Sequence, residues 1–221
     1  MKLFERQILH FIALAVLLFG LSRTVQEEGF LTGEFWRIST KTWFWIAVAL
    51  PVLHQLYVWL VWRIQLHYSL ITKHLGKHAF VYYSIGFAIL FASRFIFILF
   101  LGISNKNTFS GNPGLINGLA LLLLLPAIWL FYSVKRYFGF KRAFGIDHFE
   151  SSFRELPLVR KGIFKYTKNG MYTFGFFLFW VIALLFQSRA ALLVALFNHL
   201  YIWVHYYCTE LPDMKQIYGG N

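Results

Sequence analysis

The sequence predicts an all-α polytopic membrane protein with about six transmembrane helices, and three observations carry that prediction. Of 221 residues, 58% are hydrophobic and 21% aromatic while only 14% are charged, a balance outside the soluble globular range. The apolar residues gather into runs close to the roughly 20 residues that a helix needs to cross a hydrocarbon core about 30 Å thick. The cations, 21 Lys and Arg against 9 Asp and Glu, fall mainly between those runs. In a soluble chain a net charge of +12 would point to nucleic acid; here topology accounts for the cations, and no nucleic-acid partner is predicted.

The first run, Ile8 to Ser22, follows a cationic start as a signal peptide does. Leu21 Ser22 Arg23 offers no small-residue cleavage site, so the run reads as a span. Residues 23–42, with Glu27, Glu28 and Glu34, form an outer loop. The second run, Trp43 to Trp62, opens on Trp43 Phe44 Trp45, which reads as an interfacial aromatic belt, and Pro51 inside it predicts a kink. A short inner loop, 63–78, carries His74 and His78 at a spacing that would place both on one helix face. Histidine-box metal centres need several such clusters, and His54, His67, His199 and His205 are scattered, so no metal site is predicted. The third run, Phe80 to Ile103, contains Arg94, about 13 Å from its outer end at 1.5 Å per residue. Pairing or snorkelling is expected of this arginine, rather than a part in an inner-face site. The fourth run, Leu115 to Val134, holds Pro126 and predicts a second kink. The fifth and sixth, Met171 to Phe186 and Ala190 to Tyr207, make a hairpin. The first and fifth are short, which calls for tilt or local thinning of the bilayer. The single cysteine, Cys208, excludes an internal disulfide and reads as a small apolar helix residue.

With six spans, one face receives 15 of the Lys and Arg side chains and the other 5, with Arg94 within a span. Cytoplasmic loops carry the excess, so both termini are expected in the cytoplasm. The chain divides accordingly into N-terminal transmembrane helices over 1–134 and, over 135–221, a cytoplasmic-face loop, a C-terminal helical hairpin and a cofactor-binding region. The stretch 135–170 mixes Arg154, Arg160, Lys161, Lys165 and Lys168 with Phe153, Ile163, Phe164 and Tyr166, the composition of backbone lying along an interface.

Two polar segments carry the chemistry. His199, Trp203, Tyr206 and Glu210 recur at helical spacing and share one stripe of the sixth span. Leu211 precedes Pro212, which disfavours further helix and sets Glu210 near a helix C-terminus, where an anion profits from a cationic partner. The hairpin returns this carboxylate to the face that holds the segment Arg160 to Tyr172.

The order Gly162 Ile163 Phe164 Lys165 Tyr166 Thr167 Lys168 Asn169 Gly170 Met171 Tyr172, a hairpin, Glu210 and then Tyr218 Gly219 resembles the C-terminal half of the membrane methyltransferases that include isoprenylcysteine carboxyl methyltransferase and phosphatidylethanolamine N-methyltransferase. The likeness covers about residues 160–219. Ile163, Lys168 and Gly170 stand where that family's pattern has proline, arginine and proline, and Glu210 is followed by Leu211 instead of a second glutamate. The resemblance implies an S-adenosylmethionine-dependent methyltransferase acting on a lipid or prenyl-type acceptor at the cytoplasmic face. It implies cofactor binding by Tyr166, Asn169, Gly170, Tyr172, Trp203, Tyr206 and Glu210. Glu210 and His199 are the candidate bases for an amine acceptor, and Lys161, Lys165 and Lys168, at i, i+4 and i+7 if helical, are candidates to attract an acidic headgroup. A membrane oxidoreductase, desaturase-like or steroid-reductase-like, and a non-catalytic relative of the methyltransferase fold are the alternatives.

Overall fold

The computed structural model describes residues 2–219. Ten helices follow in order: α1 Gln7–Thr24, α2 Thr40–Tyr68, α3 Leu70–Leu75, α4 Ala79–Ser104, α5 Pro113–Ser133, α6 Phe140–Ala143, α7 Gly170–Phe174, α8 Phe177–Leu185, α9 Arg189–His205 and α10 Leu211–Tyr218. The loop after α1 holds a two-stranded antiparallel hairpin, β1 Glu34–Phe35 with β2 Ile38–Ser39. Five helical stretches are long and apolar enough to cross a membrane, and a shorter apolar one covers Gly170–Leu185. The protein is therefore an all-α polytopic membrane protein.

That shorter stretch is broken between α7 and α8, and 170–185 measures about 24 Å at 1.5 Å per residue. It nevertheless runs from one face to the other. Beyond it, the Phe186 and Gln187 carbonyls accept from Asn107 N–H and Thr108 N–H, both at 3.0 Å, and Ser188 Oγ lies 2.9 Å from Asn105 Oδ1. These bonds tie its far end to the loop after α4. At the opposite face, Arg63 near the end of α2 donates to carbonyls of Lys2, Leu3, Glu5 and Cys208, which gathers both ends of the chain there.

Helix α9 is the hub. It packs on α1, α2, α4 and α8, and its Ala190, Ala191, Val194 and Ala195 are fully buried. Small side chains let neighbouring backbones approach, which stabilises helix contact in lipid, where apolar burial alone gives little driving force. Pro51 and Pro126 both lie inside continuous helices. Trp43 and Phe44 differ from the expected interfacial belt: both are buried, and the Trp43 indole N–H donates to the Phe35 carbonyl at 3.2 Å, so the hairpin beneath them converts a belt position into core. His74 and His78 are both exposed, on either side of the break at Gly76.

The end of α9 differs from expectation too. The helix does not stop before Pro212. It widens into a π-helical turn over Tyr206–Glu210 and continues as α10, with Pro212 in the first turn. Proline lacks an N–H but fits the first turn of a helix, where that N–H needs no partner, and the widened turn supplies such a boundary. Glu210 thus sits inside a helical run, and a C-terminal dipole does not act on it.

Candidate active site

Local structure after α5 explains how the polar loop reaches the last helices. Gly162 adopts φ +59°, and a Cβ there would fall 2.5 Å from Ser133 Oγ. The same Ser133 hydroxyl accepts from Ile163 N–H at 3.1 Å, so a glycine followed by a bonded backbone N–H pins the loop to α5. Ile163 and Phe164 bury on Leu130 and Val134. The chain then turns, and the Asn169 carbonyl accepts from Tyr172 and Thr173 N–H, both at 3.1 Å, to start α7 with the buried Gly170 as its first residue.

This start presents Tyr172 to α9. Its ring lies 5.0 Å from that of Tyr206 and 5.9 Å from that of Trp203. Asn169 lies beside Tyr206, and Glu210 beside Tyr172. Asn169, Gly170, Tyr172, Trp203, Tyr206 and Glu210 therefore converge on one region.

Five of the other sequence candidates lie outside it. Tyr166 is 71% exposed, its ring 5.7 Å from Trp129 on α5. Lys161, Lys165 and Lys168 are exposed on a short 3₁₀ turn and the bend after it, where no i, i+4, i+7 alignment forms. His199 is turned toward α8: its Nδ1 accepts from the Trp180 indole N–H at 3.1 Å, with Phe176 and Phe177 against the ring.

Tyr172 and Glu210 also line a cavity of about 260 Å³ among α2, α4, α5, α7, α8 and α9, closed on one side by Phe140, Ala143 and Phe144 of the α6 segment. Its walls are mostly apolar. The polar groups on it are His54, Gln55, Trp62, Arg94, Tyr172, His205 and Glu210, with Glu210 the one carboxylate. Trp62 Nε1 and His205 Nδ1 are buried there without a hydrogen-bond partner, so the wall near Glu210 keeps polar capacity for a ligand. Glu210 for a cation, aromatic faces for a planar or cationic group, and free polar atoms beside them form a donor set that fits S-adenosylmethionine.

Other features of the site were missed or misplaced by the sequence reading. Arg94 lies on the cavity wall, contrary to the expectation that it stands apart from an inner-face site. The cavity descends along α4 to meet it, and its guanidinium donates to Asn198 Oδ1 at 2.8 and 3.1 Å. Arg63 and Asp213 form a buried pair at 3.1 Å, with His148 Nε2 3.5 Å from the other Asp213 oxygen. His148 stacks on Trp62 at 4.1 Å, and Tyr218 donates to Asp147. The scarcity of acids was the available signal. With 9 carboxylates against 21 cations, an Asp in a Leu-Pro-Asp start to an amphipathic helix had many possible partners, but Arg63 is indistinguishable by sequence from a topogenic cation.

A sequence model of the family described as phospholipid methyltransferase matches residues 115–221. No curated protein and no solved structure matches the chain.

Proposed function

We propose, from the match of residues 115–221 to the phospholipid methyltransferase family model, that the protein is an S-adenosylmethionine-dependent methyltransferase that modifies a lipid or prenyl-type acceptor. The reaction would run at the face that gathers both chain ends, which the distribution of Lys and Arg assigns to the cytoplasm. One observation carries the reading: the carboxylate of Glu210, beside Tyr172, opens onto an apolar cavity between membrane-crossing helices.

S-adenosylmethionine, when bound, supplies an electrophilic methyl group on a sulfonium. The chain's own residues have three tasks. Glu210 attracts a cation, an interaction strengthened by its low-dielectric surroundings. Tyr172, Trp203 and Tyr206 offer ring faces to a planar or cationic group, and Asn169 adds donors and an acceptor at the polar edge. Apolar walls contributed by Phe87, Phe91 and Phe176 exclude water, so alignment of the two reactants supplies much of the rate. An amine acceptor must lose a proton first, and Glu210 is the carboxylate in position to take it, while His199 faces Trp180. Lys161, Lys165 and Lys168, exposed beside the site, attract an acidic headgroup to it.

Calorimetry on purified protein tests the reading: S-adenosylmethionine should bind, and Glu210→Ala should abolish the heat. A wild type that shows no heat of binding and transfers no methyl group to any lipid extract would end the assignment.

A further inference from the structure

Arg94 is the one cationic side chain lining the cavity, and it is 97% buried, in the membrane-spanning part of α4. Its neighbours are neutral. Nε and Nη2 donate to the single Asn198 Oδ1 at 3.1 and 2.8 Å, Nη1 lies 3.2 Å from His54 Nδ1, and the rings of Phe176 and Phe179 lie 5.1 and 5.3 Å from the guanidinium carbon. Among the described residues no carboxylate is within salt-bridge reach of it. A guanidinium has five N–H donors, and these contacts engage three. His54 Nε2, on the same wall, is also buried without a partner.

A fixed cation in a hydrocarbon-depth cavity is costly unless paired, and here three of its donors are spent on neutral acceptors while its charge stays unbalanced. The opposite end of the same cavity carries the carboxylate Glu210. Along α9 and the widened turn that continues it, Asn198, which holds Arg94, and Glu210 are twelve residues apart, so the two poles stand about 18 Å apart along the helix at 1.5 Å per residue. The cavity is polarised: negative toward the face with the chain ends, positive in depth, apolar between.

We infer that Arg94 and His54 form a carboxylate-binding pole, and that the molecule filling the cavity carries a carboxylate at its deep end. A carboxylate matches the remaining guanidinium donors in number and geometry, and His54 completes the contact from the second side. Two sources share that chemistry: an acceptor amphiphile with an acidic end, or the aminoacyl carboxylate of the methyl donor. The inference rests on the proposed function for the cavity's role, but its test reads binding and needs no turnover. Arg94 and His54 both precede residue 115, so selectivity would be set by the part of the chain that the family match does not cover.

Two pairs of probes separate the sources on the wild type in detergent: oleate against oleyl alcohol, and S-adenosylmethionine against its decarboxylated analogue. The carboxylate-bearing member of one pair should bind at least tenfold more tightly, a factor in the range of one charge-assisted contact. Arg94→Gln should bring that ratio close to one, and Arg94→Lys, which keeps the charge, should retain part of it. A ratio near one for both pairs in the wild type overturns the inference even if Arg94→Gln fails to fold. So does a ratio that survives Arg94→Gln in a folded protein. In either case S-adenosylmethionine binding that is lost in Glu210→Ala would leave the methyltransferase reading in place.

Discussion

Asp213→Ala should destabilise this protein more than any other single carboxylate removal, and the structure gives the size. Arg63 has no exposed side-chain surface and Asp213 only 3%. Removing one partner of a buried pair leaves an uncompensated charge, an effect of about 3–5 kcal/mol. Arg63 itself keeps four carbonyl partners, those of Lys2, Leu3, Glu5 and Cys208, at 2.7 to 3.2 Å, which holds the expected loss toward the lower end. Asp213→Asn retains an acceptor near Nε and should lose less, about 1.5–3 kcal/mol, the worth of a hydrogen bond to a charged group. Removing both ends in Arg63→Met/Asp213→Ala abolishes the unpaired charge and takes one charged donor from each of four carbonyls, which keep the Glu5 N–H, Trp59 Nε1–H or Gln7 Nε2–H as partners, so the double variant should recover most of the loss without reaching wild-type stability. Equilibrium unfolding in mixed micelles measures all four proteins. Asp213→Ala within 1 kcal/mol of wild type would refute the argument, and so would a double variant as stable as the parent.

Three further expectations use other parts of the site. Gly145 has φ +81° and a Cβ there would lie 2.3 Å from Trp62 Cζ2, so Gly145→Ala should lose about 2–4 kcal/mol and weaken the Trp62 stack on His148, visible as a change in tryptophan fluorescence; an unchanged unfolding curve would contradict it. Gly170→Pro should cost about 1–3 kcal/mol although position 170 opens α7, because Asn169 before it holds ψ 26°, away from the extended backbone that proline imposes on its predecessor, and an added Cβ would lie 3.2 Å from Thr167 Cγ2; an unchanged curve in the same unfolding assay would mean that this backbone is proline-compatible. Replacing Lys161, Lys165 and Lys168 together by Ala should leave stability unchanged and raise KM several-fold for an acidic lipid but not for a neutral one, with the difference fading in high salt; an equal effect on both lipids would remove the electrostatic role.

The spans, their order and the meeting of the basic loop with the last helix were legible because each is set by local pattern: apolar length, Lys and Arg counts, and the order of Gly162, Tyr172 and Glu210. Trp203 and Tyr206 pack on one face of the last helix as their spacing implied, and the start of α7 brings Tyr172 to them. What escaped were contacts made across the bundle. Arg63 and Asp213 are 150 residues apart, and Arg94 reaches Asn198 over 104, so nothing in the neighbouring sequence marks either pair. His199 shares a helix face with Trp203 by spacing, yet α8 supplies a Trp180 indole that turns its ring aside. Pro212 misled for a different reason: reading it as a stop assumes regular α geometry, which the widened turn abandons.

That turn has a consequence for the register of the whole C-terminal helix. A π turn accommodates one residue more than an α-helix would, and one residue corresponds to a rotation of about 100° for everything that follows. Trimming the chain by one position within Tyr206–Glu210 would leave the crossing length of α9 untouched while swinging Asp213 off Arg63. The membrane-crossing and face-lying portions of this helix are therefore phased separately, and the aim of the site's carboxylates depends on a count of residues that hydrophobicity does not report.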